Sequence, residues 1–124
     1  MYLLELDGEK IGESSLDHAD PPMGVVNGTI RFHEIEDAYT FLREYCSSRG
    51  IQLNASDDTI GLIDTWAIPG LKVITPAGKT IPNEGCSISG LNEEGYEVTI
   101  LGIPYPFFDE EFPIHAKTYE DQFK

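Results

Sequence analysis

The stretch from Thr80 to Ala116 contains neither lysine nor arginine, yet Glu84, Glu93, Glu94, Glu97, Asp109, Glu110 and Glu111 all fall within it. The same bias runs through the whole chain, where 8 basic residues stand against 22 acidic ones for a formal net charge of −14. A field of that sign repels nucleic acid and anionic lipid and speeds encounter with basic protein surfaces, and it also favours solubility whatever the partner. Long apolar runs are missing as well. No segment approaches the ~18 residues of a membrane helix, and no apolar h-region opens the chain. Cysteine is limited to Cys46 and Cys86, too few for a disulfide framework, which predicts a reducing, cytoplasmic compartment. Finally, there is no G-x-S-x-G, no phosphate-binding glycine loop, no dinucleotide fingerprint and no H-E-x-x-H. With these common catalytic motifs absent, no cofactor is implied.

What is present predicts a folded domain. At 124 residues, with 40% hydrophobic and 10% aromatic residues, the chain can bury one core, so residues 1–124 are read as a single domain with a polar tail over 113–124. Tyr2–Leu6 and Glu9–Leu16 flank Asp7-Gly8, a pair suited to the positive φ angles of a hairpin turn. Asp17 to Gly24 carries the Pro21-Pro22 pair, which fixes two φ angles, removes two donors and makes a rigid corner before a strand over Val25–Phe32. Gly28 within that strand weakens it or marks a bulge.

One helix is predicted over Glu34–Arg49, because Ile35, Ala38, Tyr39, Leu42, Tyr45 and Cys46 recur at steps of three and four. Acids at Glu34, Glu36 and Asp37, basic residues at Arg43 and Arg49, and Gly50 as a stop suit its dipole and ends. Beyond it the pattern turns to strands: Ile51–Leu53, a polar turn over Asn54–Asp58, Thr59–Ile68, a hairpin around Pro76-Ala77-Gly78, Gly85–Ser89, an acidic turn over Asn92–Gly95, and Tyr96–Leu101. Gly102–Phe108 is apolar but carries Pro104 and Pro106, so it is read as an edge or extended cover. The fold class is therefore α+β: a mainly antiparallel sheet or partly open barrel with one amphipathic helix.

The Asp-Gly hairpin followed by Asp20-Pro21-Pro22-Met23-Gly24-Val25 resembles a family of small bacterial proteins with an amino-terminal hairpin and a D-P-P-M-G-V segment. The resemblance covers about the first quarter of the chain. It implies a bacterial origin and no activity.

Three sets of residues are candidates for function. Tyr105, Phe107, Phe108 and Phe112 interleave with Asp109, Glu110 and Glu111; aromatics rimmed by acids make an anchor-and-rim surface for a basic protein, or else they close the core. His18 and Asp20, joined by His33 or His115, offer nitrogen and oxygen ligands to a metal or a small ligand, or else Asp20 caps a solvated turn. Cys46 with a histidine would make a nucleophile and base, but its place on the apolar stripe suits packing, and Cys86 has no adjacent base. The paired carboxylates Asp57-Asp58 and Glu93-Glu94 sit in turns, where solvated clusters are expected. The leading expectation is a non-enzymatic, acidic interaction domain, of the immunity or inhibitor kind, that binds a basic partner. The rival is a ligand or metal site around His18 and Asp20.

Overall fold

The computed structural model describes residues 1–123. Among the described residues ten strands form two open antiparallel sheets with the core between them and no closed barrel, accompanied by three α-helices. β1 (Tyr2–Leu6) and β2 (Glu9–Ser14) form the opening hairpin, with Asp7 at φ 52° and Gly8 at φ 86° as the turn demands. Its tip is clamped to the end of the helix: both Arg49 Nε and Nη2 lie 2.7 Å from Asp7 Oδ2, and the guanidinium stacks 4.1 Å over the Tyr45 ring. With β5 (Arg31–Phe32) and β8 (Leu71–Ile74) these strands make a sheet in the order β5-β2-β1-β8.

The larger sheet runs β3-β4-β10-β9-β7-β6, from β3 (His18–Asp20), β4 (Val25–Thr29), β10 (Gly95–Leu101), β9 (Gly85–Leu91), β7 (Leu62–Thr65) and β6 (Leu53–Asp57). Val26, Ile63, Ile88, Val98 and Ile100 point inward from it to meet Leu4, Leu6 and Ile11 of the smaller sheet. The Phe32 and Tyr96 rings meet edge to face across that layer, 6.1 Å apart. No helix among the described residues is long and apolar enough to cross a membrane.

The proline corner is tighter than its sequence suggests. His18–Asp20 already pairs with Val25–Asn27, and only Pro21–Met23 forms the connecting 3-10 turn. The expected strand Val25–Phe32 is two strands in different sheets, divided at the buried Ile30, whose N–H bonds Tyr96 O at 2.8 Å. Gly28 marks no bulge, since the β4–β10 register runs through it unbroken. A Cβ there would stand 2.5 Å from Ser14 Oγ and 2.8 Å from the Leu16 Cα, so glycine lets the two sheets' strands approach.

The predicted helix begins late: α1 spans Ala38–Ser48, not Glu34–Arg49. Asp37 is its N-cap, taking the Thr40 N–H at 3.1 Å and the Thr40 hydroxyl at 2.8 Å, while Glu34 adopts a left-handed φ of 57° ahead of it. Glu34 and Glu36 therefore precede the first turn. The apolar stripe holds, with Tyr39, Leu42, Tyr45 and Cys46 buried. The two bonds to Thr40 hold the Asp37 carboxyl below its ordinary pKa. A depressed folded-state pKa adds stability that is present above the unfolded value and lost as pH falls through the folded one. Asp37→Ala is accordingly expected to lower the thermal midpoint at neutral pH, and the gap from the parent should close in acid below the carboxylate range. Melts across that range check it; a gap independent of pH would contradict the charged cap.

Three further expectations are corrected. The polar turn over Asn54–Asp58 is instead mostly strand, the edge strand β6, and Thr59–Ile68 contracts to β7 with Ile60 exposed in a turn. The carboxy-terminal segment is helical: α2 covers Phe107–Glu111 and α3 Pro113–Asp121. Of the edge or extended cover expected over Gly102–Phe108, no strand forms: Pro104 and Pro106 lie in the irregular segment leading into α2, and Pro113 occupies the first turn of α3, where its missing N–H costs nothing. In the tail, Ile114 is 78% and Phe123 73% exposed, so neither anchors it to the core.

Candidate functional site

The two sequence-derived candidate regions meet at one end of the molecule. The Ile103 N–H bonds Gly24 O at 2.9 Å, setting the proline corner beside the segment that leads into α2. Phe112 lies between the two carboxy-terminal helices with a non-helical backbone (φ −121°, ψ 55°), in keeping with the proline that follows it, which disfavours the helical region for the residue before. Its ring packs 5.4 Å from Tyr2 and 5.5 Å from Phe108. A cleft of about 380 Å³ opens there, walled by Tyr2, Asp17, Glu111, Phe112, Ile114 and His115.

Polar groups on the cleft are largely engaged. The Tyr2 hydroxyl donates to Glu111 Oε2 at 2.8 Å, and burial first, then that carboxylate, pushes the phenol well above its usual pKa. His115 Nε2 lies 2.9 Å from the Leu16 carbonyl oxygen; since a carbonyl only accepts, that nitrogen carries the proton. The Ser15 hydroxyl donates to Asp17 Oδ2 at 2.8 Å. Among the described residues no hydroxyl is bonded to a histidine.

The expected partner-binding set divides. Phe108 and Phe112 are 3% and 5% exposed and belong to the core, and Phe107 packs half-buried against it. Tyr105 is 80% exposed. Asp109 and Glu110 reach solvent in the first turn of α2, while Glu111 is drawn back to Tyr2. The rival set divides too. Asp20 and His115 line a smaller cleft of about 260 Å³ with Pro21 and Tyr119, but His18 is exposed on edge strand β3 and is not in it. His33 sits at the far sheet, its Nε2 3.7 Å from Glu13 Oε1. Among the described residues no three His, Cys, Asp or Glu side chains stand close enough to hold a metal.

Burial raises both thiols, Cys86 to about 11, and each packs as an apolar group. Asp57, Asp58, Glu93 and Glu94 are exposed, with Asp58 accepting from the Tyr39 hydroxyl and 3.4 Å from Arg43 Nε. Compared with models of protein families, with curated proteins and with solved structures, the chain matches none.

Sequence reasoning missed Tyr2 and Ser15 as members of the cleft. Nothing local could have revealed Tyr2, whose partner Glu111 is 109 positions away. The helix that carries His115 did leave a sign, a proline followed by a run free of glycine and of further proline.

Proposed function

We propose that the chain is a non-enzymatic interaction protein whose acidic surface docks on a basic partner, in the manner of immunity and inhibitor proteins. The supporting observation is that Asp109 and Glu110 project from α2 beside the exposed Tyr105 with no cation paired to them among the described residues. The arginine ion pairs lie elsewhere, on Glu13, Asp58 and Asp7. Exposed, unneutralised carboxylates steer a basic surface without the desolvation cost of buried charge, so their effect falls mainly on association rate.

Capture on the immobilised chain at low salt, followed by kinetics on the protein recovered, tests this reading. The expected result is a basic protein whose association slows as ionic strength rises, and slows about tenfold at low salt with Asp109→Lys/Glu110→Lys. Both residues face solvent, so the double variant should fold. Recovery of no basic protein, or binding indifferent to salt, contradicts the proposal.

A further inference from the structure

The cleft of about 380 Å³ between β1, residues 15–17 and the start of α3 joins an apolar wall to two carboxylates. It exceeds the about 300 Å³ at which pockets begin to hold small molecules. The Tyr2 and Phe112 rings, 5.4 Å apart, and Ile114 supply the apolar wall. Ile114 lines the cleft while 78% exposed, an aliphatic side chain that nothing in the chain covers. On the polar side, each carboxylate has one oxygen engaged. Glu111 Oε2 accepts from the Tyr2 hydroxyl and Asp17 Oδ2 from the Ser15 hydroxyl, both at 2.8 Å. Among the described residues Glu111 Oε1 and Asp17 Oδ1 have no protein partner.

Those hydroxyls orient the carboxylates without neutralising them. No lysine or arginine lines the cleft, and the arginine ion pairs fall on Glu13, Asp58 and Asp7 instead. Lys117, further along α3, pairs with neither carboxylate among the described residues. The His115 Nε2–H is already directed at the Leu16 carbonyl, so it does not serve them either. Two anionic groups on separate segments of chain thus face one cavity without a counter-charge.

We propose that this cleft receives a lysine side chain of the basic partner, its stem along Phe112 and Ile114 and its ammonium shared between Glu111 and Asp17. The inference rests on the docking reading and adds the residue type that the partner presents. Charge complementarity selects a cation, and the donor geometry selects among cations. An ammonium carries three donors at one point and can serve acceptors on separate segments, whereas the planar guanidinium fork matches both oxygens of one carboxylate. Here each carboxylate already has one oxygen bonded to a hydroxyl. The apolar wall suits a four-carbon stem that buries along it while the charged head stays near water, and aromatic ring faces attract the ammonium. A metal ion lacks ligands, since no three His, Cys, Asp or Glu side chains gather among the described residues. Glu111 directly follows Asp109 and Glu110 in α2, so the cleft continues the surface that steers the partner in.

The probe is Nα-acetyl-lysine methylamide, titrated to millimolar concentration at low salt and followed by proton–nitrogen NMR of the labelled protein. Saturable shifts are expected at the Tyr2, Ile114 and His115 amides. The norleucine analogue, which carries the stem without the charge, should give none. Glu111→Gln and Asp17→Asn each keep an oxygen for the Tyr2 or Ser15 hydroxyl, and their free spectra check that they fold. Each should weaken the affinity about threefold or more. The proposal is overturned if the lysine amide gives no saturable shift at those amides, if the norleucine analogue binds as well, or if neither variant weakens binding. Shifts of equal size at Glu93 and Glu94 overturn it too, since they report only the charge of the whole chain. An arginine analogue that binds more tightly, or a response to spermidine without one to the lysine amide, reassigns the cleft to a guanidinium or a free polyamine and overturns it likewise. None of these outcomes involves Asp109 and Glu110, whose salt-dependent kinetics with the captured protein decide the docking reading separately.

Discussion

Replacing Phe112 by alanine is expected to lower the unfolding free energy by about 3–5 kcal/mol, a large share of what holds a domain of this size together. The ring is 5% exposed and touches three others: Tyr2 at 5.4 Å, Phe108 at 5.5 Å and His115 at 6.1 Å between centroids. Its removal leaves a void where β1 meets both carboxy-terminal helices, and neither helix can collapse into it without breaking Phe112 N–H to Phe108 O or Ala116 N–H to Phe112 O. An aromatic on a binding surface behaves oppositely, weakening association while leaving the unfolding midpoint almost unmoved. Urea denaturation of the parent and variant separates the two. A loss below about 1 kcal/mol is in the range of surface substitutions and would remove Phe112 from the core.

The second large effect is expected at Gly24, the end of the proline corner. Its φ of +64° costs an L-residue about 1–2 kcal/mol. A Cβ there would also stand 2.6 Å from the Ile103 carbonyl oxygen, a backbone atom held in place by the Ile103 N–H to Gly24 O bond. Overpacking against fixed atoms adds about 1–3 kcal/mol, so Gly24→Ala should cost roughly 2–5 kcal/mol in all. Gly8→Ala is the control: its φ is +86° but no atom lies within 4 Å of the added carbon. Thermal melts should place Gly24→Ala well below Gly8→Ala. Equal losses in the two would mean that conformation alone, not the contact with Ile103, makes glycine necessary at the corner.

The candidate site was legible only in pieces. Its acidic rim at Asp109 and Glu110 is a matter of composition and shows in any reading of the chain. The direction of each aromatic is not, because the stretch from Tyr105 to Phe112 carries apolar and acidic residues too densely for one period to stand out. Folding it as two short helices joined at Phe112 turns Phe108 and Phe112 inward and leaves Tyr105 outside. The three histidines do not form a set: His33 stands beside Glu13 at the smaller sheet, His18 is exposed on edge strand β3, and His115 is bonded to the Leu16 carbonyl.

By itself the sequence determined what depends on near neighbours: the Asp7-Gly8 turn, the buried stripe of α1, the turns around Gly78 and Gly95, and the antiparallel α+β class. Each rests on φ preferences or on a hydrophobic period that a few consecutive residues express. Tertiary structure alone decided where Val25–Phe32 divides between sheets, that Asn54–Asp57 becomes an edge strand, and which side chains share a cleft. The physical reason is the same in each case. Strand pairing satisfies backbone donors and acceptors with residues far away in the chain, so a polar segment such as Asn54–Asp57 becomes a strand because β7 is there to pair with it.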